Sequence, residues 1–147
     1  MEIRAITAAE TRRLRHLVLR PHQRPEELVY PGDDAPDSLH VGAFRGKQLV
    51  GVTTVVRRAC PQFELPAPWQ IEGVATLPEV RGLGYGQAML DACVAHVAFE
   101  GGATLWCNGR TSAAGFYQAR GFRPLGPEFV TATGPHFVFV CPLPEYR

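Results

Sequence analysis

The chain has 147 residues, 46% of them hydrophobic and 20% charged, which is ordinary composition for one globular domain able to bury a real core. Its formal net charge is +1, so it carries no excess that would mark a general binder of nucleic acid. No apolar run approaches the roughly 18 residues of a membrane helix, and Met1-Glu2-Ile3-Arg4 has no apolar leader core.

Glu2 to Ile6 reads as a first strand. Thr7-Ala8-Ala9-Glu10 fits a capping box, and Leu14, Leu17 and Val18 follow at helical spacing until Pro21. Arg12, Arg13, Arg15, Arg20 and Arg24 crowd this segment and read as a solvated helix face. Pro21 to Asp37 is a proline-rich loop of about seventeen residues, with one helical turn suggested at Glu26 to Val29, and its length suits a functional lid. Its Asp33 and Asp34 read first as solvated carboxylates and second as an attraction for a cationic amine. The nearby arginines would equally suit an acidic substrate.

Leu39–Phe44 and Gln48–Arg57 read as strands of a hairpin joined by Arg45-Gly46-Lys47. A second loop follows from Cys60 to Pro68, and Trp69–Leu77 is the next strand. Gly84–Phe99 is a helix with Met89, Leu90, Cys93, Val94 and Val97 at core positions, ended by Gly101-Gly102. Ala103–Cys107 is a short apolar strand and Thr111–Arg120 a short helix stopped by Gly121. Phe122–Leu125 leaves that helix, and Phe129–Thr133 pairs with His136–Cys141 around Gly134-Pro135. The order β-α-β-β-β-α-β-α-β-β predicts one α/β domain over residues 1–147, a mixed sheet with helices on both faces.

Four cysteines (Cys60, Cys93, Cys107, Cys141) are scattered without a C-x-x-C pair. The last three lie in apolar surroundings and read as small core residues, so a reduced, cytoplasmic protein is the expectation. Cys93 and His96 lie one helical turn apart, but two ligands make no zinc site, and no metal is expected.

The chemistry is carried by Arg81-Gly82-Leu83-Gly84-Tyr85-Gly86, between a strand and a helix, where backbone N–H groups converge on an anion. A Walker loop needs a lysine and Ser/Thr after its glycines, and none follows. A dinucleotide turn needs a third glycine where Gln87 or Met89 stands. A nucleotide-phosphate protein is therefore disfavoured. The stretch does fit [QR]-x-x-G-x-[GA], and it resembles the pyrophosphate loop of GNAT-type N-acetyltransferases. The segment Asn108 to Phe122, with Ala113, Phe116-Tyr117 and Gly121-Phe122, resembles the second signature of the same family. The two together span Trp69 to Phe122, somewhat over a third of the chain.

The resemblance implies a GNAT fold: a mixed, mostly antiparallel sheet of about seven strands, splayed between the fourth and fifth. It implies acetyl-CoA as co-substrate, with Val74, Ala75 and Thr76 along the pantetheine arm. Arg81, Gly82, Leu83, Gly84, Tyr85 and Gly86 would cradle the pyrophosphate. Tyr117 matches the family tyrosine facing the thioester sulfur, a role suited to a phenol with a pKa of about 10. The family's asparagine falls at Arg110 when counted back from Ala113, with Asn108 two residues upstream, so its role transfers to neither. By period two, Gln70, Glu72, Val74 and Thr76 share one strand face. Glu72 is the sole carboxylate there and is either the base for the attacking amine or the partner of an arginine such as Arg57.

The implied activity is direct transfer of an acetyl group to a small-molecule (or peptide) amine in a ternary complex. The alternative is a non-catalytic acyl-CoA-binding or regulatory module of the same fold. Neither nucleic acid nor membrane is expected as a partner. Dimerisation through terminal strands or core edges, which the family often shows, is left open by Phe137, Val138 and Phe139.

Overall fold

The computed structural model describes residues 1–147. Its centre is a seven-stranded sheet in the order β1-β2-β3-β4-β5-β7-β6. The strands are β1 (Glu2–Ala5), β2 (Leu39–Arg45), β3 (Gln48–Arg57), β4 (Pro68–Thr76), β5 (Thr104–Arg110), β6 (Arg123–Thr131) and β7 (Gly134–Pro142). Every neighbouring pair is antiparallel except β4 and β5. That exception follows from chain order, because a parallel pair needs a crossover, here helix α2 (Tyr85–Phe99).

Helix α1 (Ala8–Leu14) opens as its sequence predicts: Thr7 Oγ1 accepts the Glu10 N–H at 3.2 Å, and Glu10 accepts the Thr7 N–H at 2.9 Å. It then widens. Arg15–Leu19 is wound as a π-turn, closed by the Arg20 N–H donating to Arg15 O at 2.9 Å. The loop beyond holds one short helical turn, Pro25–Glu27.

Helices α1 and α2 pack on opposite faces of the sheet. Arg15 of the α1 segment reaches Thr54, whereas Met89 of α2 lies over Gly51, three positions away on the same strand. On α2, Met89, Leu90, Cys93 and Val97 are buried in a core cluster of 22 residues, each large apolar side chain contributing about 1.5–3 kcal/mol. Burial without a hydrogen-bond partner pushes the Cys93 thiol up to about 12, which suits its reading as a small hydrophobe.

Three stretches differ from the sequence pattern. Gly134 and Pro135, expected as the turn between the last two strands, are paired residues of β7 opposite Thr131 and Val130, and the turn falls on Ala132-Thr133. Strand β5 runs three residues past Cys107, because Asn108, Gly109 and Arg110 continue the ladder with β7 although they break the apolar run. The pieces Phe122–Leu125 and Phe129–Thr133 belong to one strand, β6. Gly126-Pro127-Glu128 between them forms a bulge opposite Phe137, since Leu125 pairs with Val138 and Phe129 with His136.

Candidate active site

Strands β4 and β5 pair only through Pro68–Thr104, Trp69–Leu105 and Gln70–Trp106, then separate. Beyond Gln70, β4 stays with β3 and β5 stays with β7, so the inner edges open into a V. The splay expected between the fourth and fifth strands is therefore present. A cleft of about 1040 Å³ fills it, and residues of β4, β5, the glycine turn, α3 (Ala114–Ala119) and the α1 segment line it.

The glycine turn closes one end. Leu77 donates to Val50 O at 2.9 Å and ends the strand, and Pro78–Val80 makes a single tight turn. Gly82 and Gly84 then take φ of +78° and +89°, a region that penalises any Cβ. Gly84 caps α2 with no side chain bonded to the helix end, so the first N–H groups of α2 keep their hydrogen-bonding capacity. Arg81, which is in no ion pair, lines the cleft with Gly82, Gly84, Tyr85 and Gly86. Leu83 instead points to solvent at 54% exposure.

Strand β4 is not a simple alternation. Glu72 pairs with Thr54 and Ala75 with Val52, so Gly73 and Val74 together oppose Thr53. This is a β-bulge, with Gly73 at φ +63°. The extra residue reverses the parity of the strand. Gln70 and Glu72 face the side of Arg15 and Tyr30, whereas Val74 and Thr76 turn toward α2, beside Gly86 and Leu90 and beside Met89. The single face expected for Gln70, Glu72, Val74 and Thr76 is thus divided in two. Val74 and Thr76 still line the cleft, while Ala75 is buried in the core.

Glu72 has an arginine partner, but it is Arg58. Its Oε2 accepts from Arg58 Nη1 at 3.1 Å, and the same nitrogen donates to Gln70 Oε1 at 2.5 Å. Arg58 also donates to Pro31 O, tying the proline loop to β4. Arg57 lies on the other face, over the Trp69 ring and bonded to Asp37 at 2.9 Å. The remaining oxygen, Glu72 Oε1, is buried without a hydrogen-bond partner. Burial pushes the Glu72 carboxyl above its ordinary value, and Arg58 opposes that rise without cancelling it.

On α3, Tyr117 is buried, stacked on Phe139 with ring centroids 5.0 Å apart and flanked edge-on by Phe116 and Phe122. The Cys107 thiol is its neighbour in the cleft lining. Burial holds the phenol well above its usual range and drives the thiol up to about 12. Both therefore stay protonated near neutrality. Gly109 makes room for the ring, since a Cβ there would come within 2.8 Å of Tyr117 and 2.7 Å of Phe139.

The opposite end of the cleft rests on a buried ion pair. Arg15 is wholly buried, contrary to the solvated face expected of the N-terminal arginines. Its guanidinium donates to Asp33 Oδ2 at 2.7 Å, Asp33 Oδ1 at 3.0 Å, Leu28 O at 2.9 Å and Thr54 Oγ1 at 3.0 Å. The Tyr30 ring lies 3.9 Å above it. Asp33 also accepts the Tyr30 N–H at 2.9 Å. Burial alone would raise the Asp33 carboxyl, but the Arg15 and Tyr30 hydrogen bonds outweigh it and hold it below the usual range. Asp33 is thus neither solvated nor offered to a substrate; it fixes the loop. Asp34 is exposed and outside the cleft lining.

Sequence reasoning missed Arg15, Arg58, Cys107 and Gly109 in these positions, and Gly73 as a bulge. A glycine inside an apolar strand pattern was the one available signal for the bulge.

These features define an α/β protein with a glycine turn at a helix N-terminus closing one end of a splayed cleft and a buried phenol within it. The family model described as Acetyltransferase (GNAT) family matches residues 5–122. The chain is 30% identical over 139 residues to YitI, an uncharacterized N-acetyltransferase of Bacillus subtilis (strain 168), covering 94% of this chain and 93% of that protein. Among solved structures it is similar to an aminoglycoside 6′-N-acetyltransferase complexed with coenzyme A (TM-score 0.77, 16% identity, 97% of each chain covered). It is also similar to FeeM, an N-acyl amino acid synthase from uncultured soil microbes (TM-score 0.78, 14% identity, 98% and 91% covered). The chain belongs to the GNAT acetyltransferase family.

Proposed function

We propose that the protein is an acetyl-CoA-dependent N-acetyltransferase that moves an acetyl group to the amine of a small molecule by direct transfer. The observation that carries this reading is the convergence, on one cleft, of the glycine turn, the unpaired inner edge of β4 and Tyr117. The turn fits a pyrophosphate: Gly82 and Gly84 let the backbone approach closely, the uncapped end of α2 supplies N–H donors, and Arg81 adds charge. Past Gln70 the backbone of β4 is free to hydrogen-bond an extended pantetheine arm as an added strand would. That a structural neighbour was captured with coenzyme A supports the same donor.

In this reading the amine nitrogen bonds to the thioester carbonyl carbon and the carbon–sulfur bond breaks. The nitrogen's proton leaves to Glu72 Oε1, the buried oxygen without a partner, directly or through water. Tyr117, kept protonated by burial, gives its proton to the departing thiolate. Glu72 is then both base and ion-pair partner, using one oxygen for each.

Thiol release from acetyl-CoA over a panel of amines tests the reading. Tyr117→Phe should lower kcat by about a hundredfold, the low end of general acid–base contributions, and leave acetyl-CoA affinity nearly unchanged. An equal loss of both would remove the acid role. Acetyl-CoA binding with no amine able to speed thiol release would make the protein a binding module.

A further inference from the structure

The cleft is lined by a single carboxylate, Glu72, and by three arginines, Arg20, Arg81 and Arg110. None of the three arginines is in an ion pair. Their distribution is informative. Arg81 belongs to the glycine turn, and Arg110 ends β5 just before α3. Arg20 stands apart, at the end of the α1 segment, with Val18, Leu19, Tyr30 and Pro31 around the mouth. The charges of both Arg20 and Glu72 act on the Tyr30 phenol, so the two groups share that end of the cleft.

Of the carboxylates in the proline loop, Asp33 is bonded to Arg15, Asp37 to Arg57 and Glu27 to Arg24. Glu26 and Asp34 are exposed and lie outside the cleft lining, so neither offsets charge within it. Glu72 itself is half-spent on Arg58. An acceptor bearing only positive charge would meet an unpaired guanidinium and one already paired carboxylate.

The local backbone holds Arg20 in place. The π-turn that closes on Arg15 O puts Arg15 into the core and leaves Val18, Leu19 and Arg20 at the cleft. Arg20 is half-buried, and its Nη1 donates to Leu19 O at 2.9 Å, which fixes one edge of the guanidinium. The remaining N–H donors of its fork have no hydrogen-bond partner within the protein, and a guanidinium presents that fork to carboxylate or phosphate oxygens.

Resting on the acetyltransferase reading above, we infer that the acceptor is an amine that also carries an anionic group, a carboxylate or a phosphate, and that Arg20 holds that group while the amine lies toward Glu72. The anion would orient the molecule so that its nitrogen, and no other atom, meets the buried Glu72 oxygen. Orientation of this kind is where a positioning arginine gains most. It would also offset the positive lining that an entering ammonium otherwise meets.

The test compares matched acceptors by thiol release from acetyl-CoA. Leucine, methionine and phenylalanine are each paired with the corresponding carboxamide, and O-phosphoethanolamine with ethanolamine. The first arm reads a carboxylate and the second a phosphate. A preference for the anionic member of at least one arm, by about tenfold to a hundredfold in kcat/KM, is expected from one charge-assisted contact. The carboxamides have the less basic, more readily deprotonated amine, so a preference for the acids runs against intrinsic reactivity.

Arg20→Gln should erase the preference and leave both the acetyl-CoA KM and the rate with the member lacking the anionic group within about twofold, while Arg20→Lys should restore part of it. A preference for neutral or cationic amines, or a preference that survives Arg20→Gln, overturns the inference and leaves the acetyltransferase standing. Thiol release with a polyamine or an aminoglycoside but with none of these pairs overturns the inference alone; acetyl-CoA binding with thiol release from no amine of any of these classes overturns both.

Discussion

The two ends of the cleft are built by opposite means. The end at Arg81–Gly86 is made of backbone: two glycines at positive φ, an uncapped helix terminus and one side-chain charge, all within six consecutive residues. The end at Arg20 and Tyr30 is made of side chains brought together from α1, the proline loop, β3 and β4. A backbone cradle needs little support, since its donors are fixed once the turn forms. A side-chain platform needs a buried scaffold, and here that scaffold is Arg15 with Asp33. One end should therefore respond to substitution through ligand affinity and the other through stability.

The largest expected effect breaks the scaffold. Asp33→Asn keeps the shape but leaves the Arg15 guanidinium buried without a counter-charge, at a cost of about 3–5 kcal/mol. That is a large share of the roughly 5–15 kcal/mol that stabilises a domain. Urea unfolding should read it directly. The pH dependence has a definite sign. The Asp33 carboxyl is held below its ordinary value, so its stabilisation is present above the unfolded pKa of about 3.9 and is lost as pH falls through the folded one. The variant should lack that acid-side decline. A wild-type-like unfolding midpoint in Asp33→Asn would mean that the loop is held by Arg58 and Pro31 alone.

The other end should behave differently. Gly84→Val puts a β-branched residue at φ +89°, strained by about 1–3 kcal/mol. The strain is relieved by moving the turn, which also forfeits charge-assisted hydrogen bonds of about 1.5–3 kcal/mol each. Titration should show acetyl-CoA affinity down by about a hundredfold or more, because each 1.4 kcal/mol is tenfold. Stability should fall less than in Asp33→Asn, since a Cβ at Gly84 meets nothing closer than Met1 Cε at 4.0 Å. Unchanged affinity would remove the turn from the donor site.

The contrast also explains which parts of the molecule could be read from the sequence. The turn was legible because its chemistry is local: glycine spacing, a strand before it and a helix after it. The element order was legible for the same reason, through periodicity and caps such as Thr7 with Glu10. The Arg15 site was not, because its partners Leu28, Asp33 and Thr54 are 13, 18 and 39 residues away. Nothing local separates Arg15 from Arg12 or Arg13. The partner of Glu72 was missed by one residue for a reason of parity. Thr54 lies opposite Glu72, so positions 54, 56 and 58 share its face and Arg57 cannot. The bulge at Gly73 hid a second parity change, which divides the expected face of β4 between the two sides of the sheet.

Glu72 stands where the two ends meet, and the smallest of these effects tests its double role. Its raised carboxyl pKa means that the acid form persists to higher pH than in an ordinary glutamate. As pH falls through that value the base is protonated, so kcat/KM of the wild type should decline on a limb lying above about 4.3, the ordinary glutamate pKa. Glu72→Gln removes the titrating group but preserves an amide oxygen for Arg58. The acid limb should disappear, the rate near neutrality should fall by about a hundredfold, and acetyl-CoA affinity should hold. If the limb persists in the variant, the proton goes to water held elsewhere in the cleft, and Glu72 is a partner of Arg58 only. If the rate falls and the unfolding midpoint falls with it as far as in Asp33→Asn, Glu72 belongs to the scaffold, and the division between a backbone end and a side-chain end extends through the reacting centre itself.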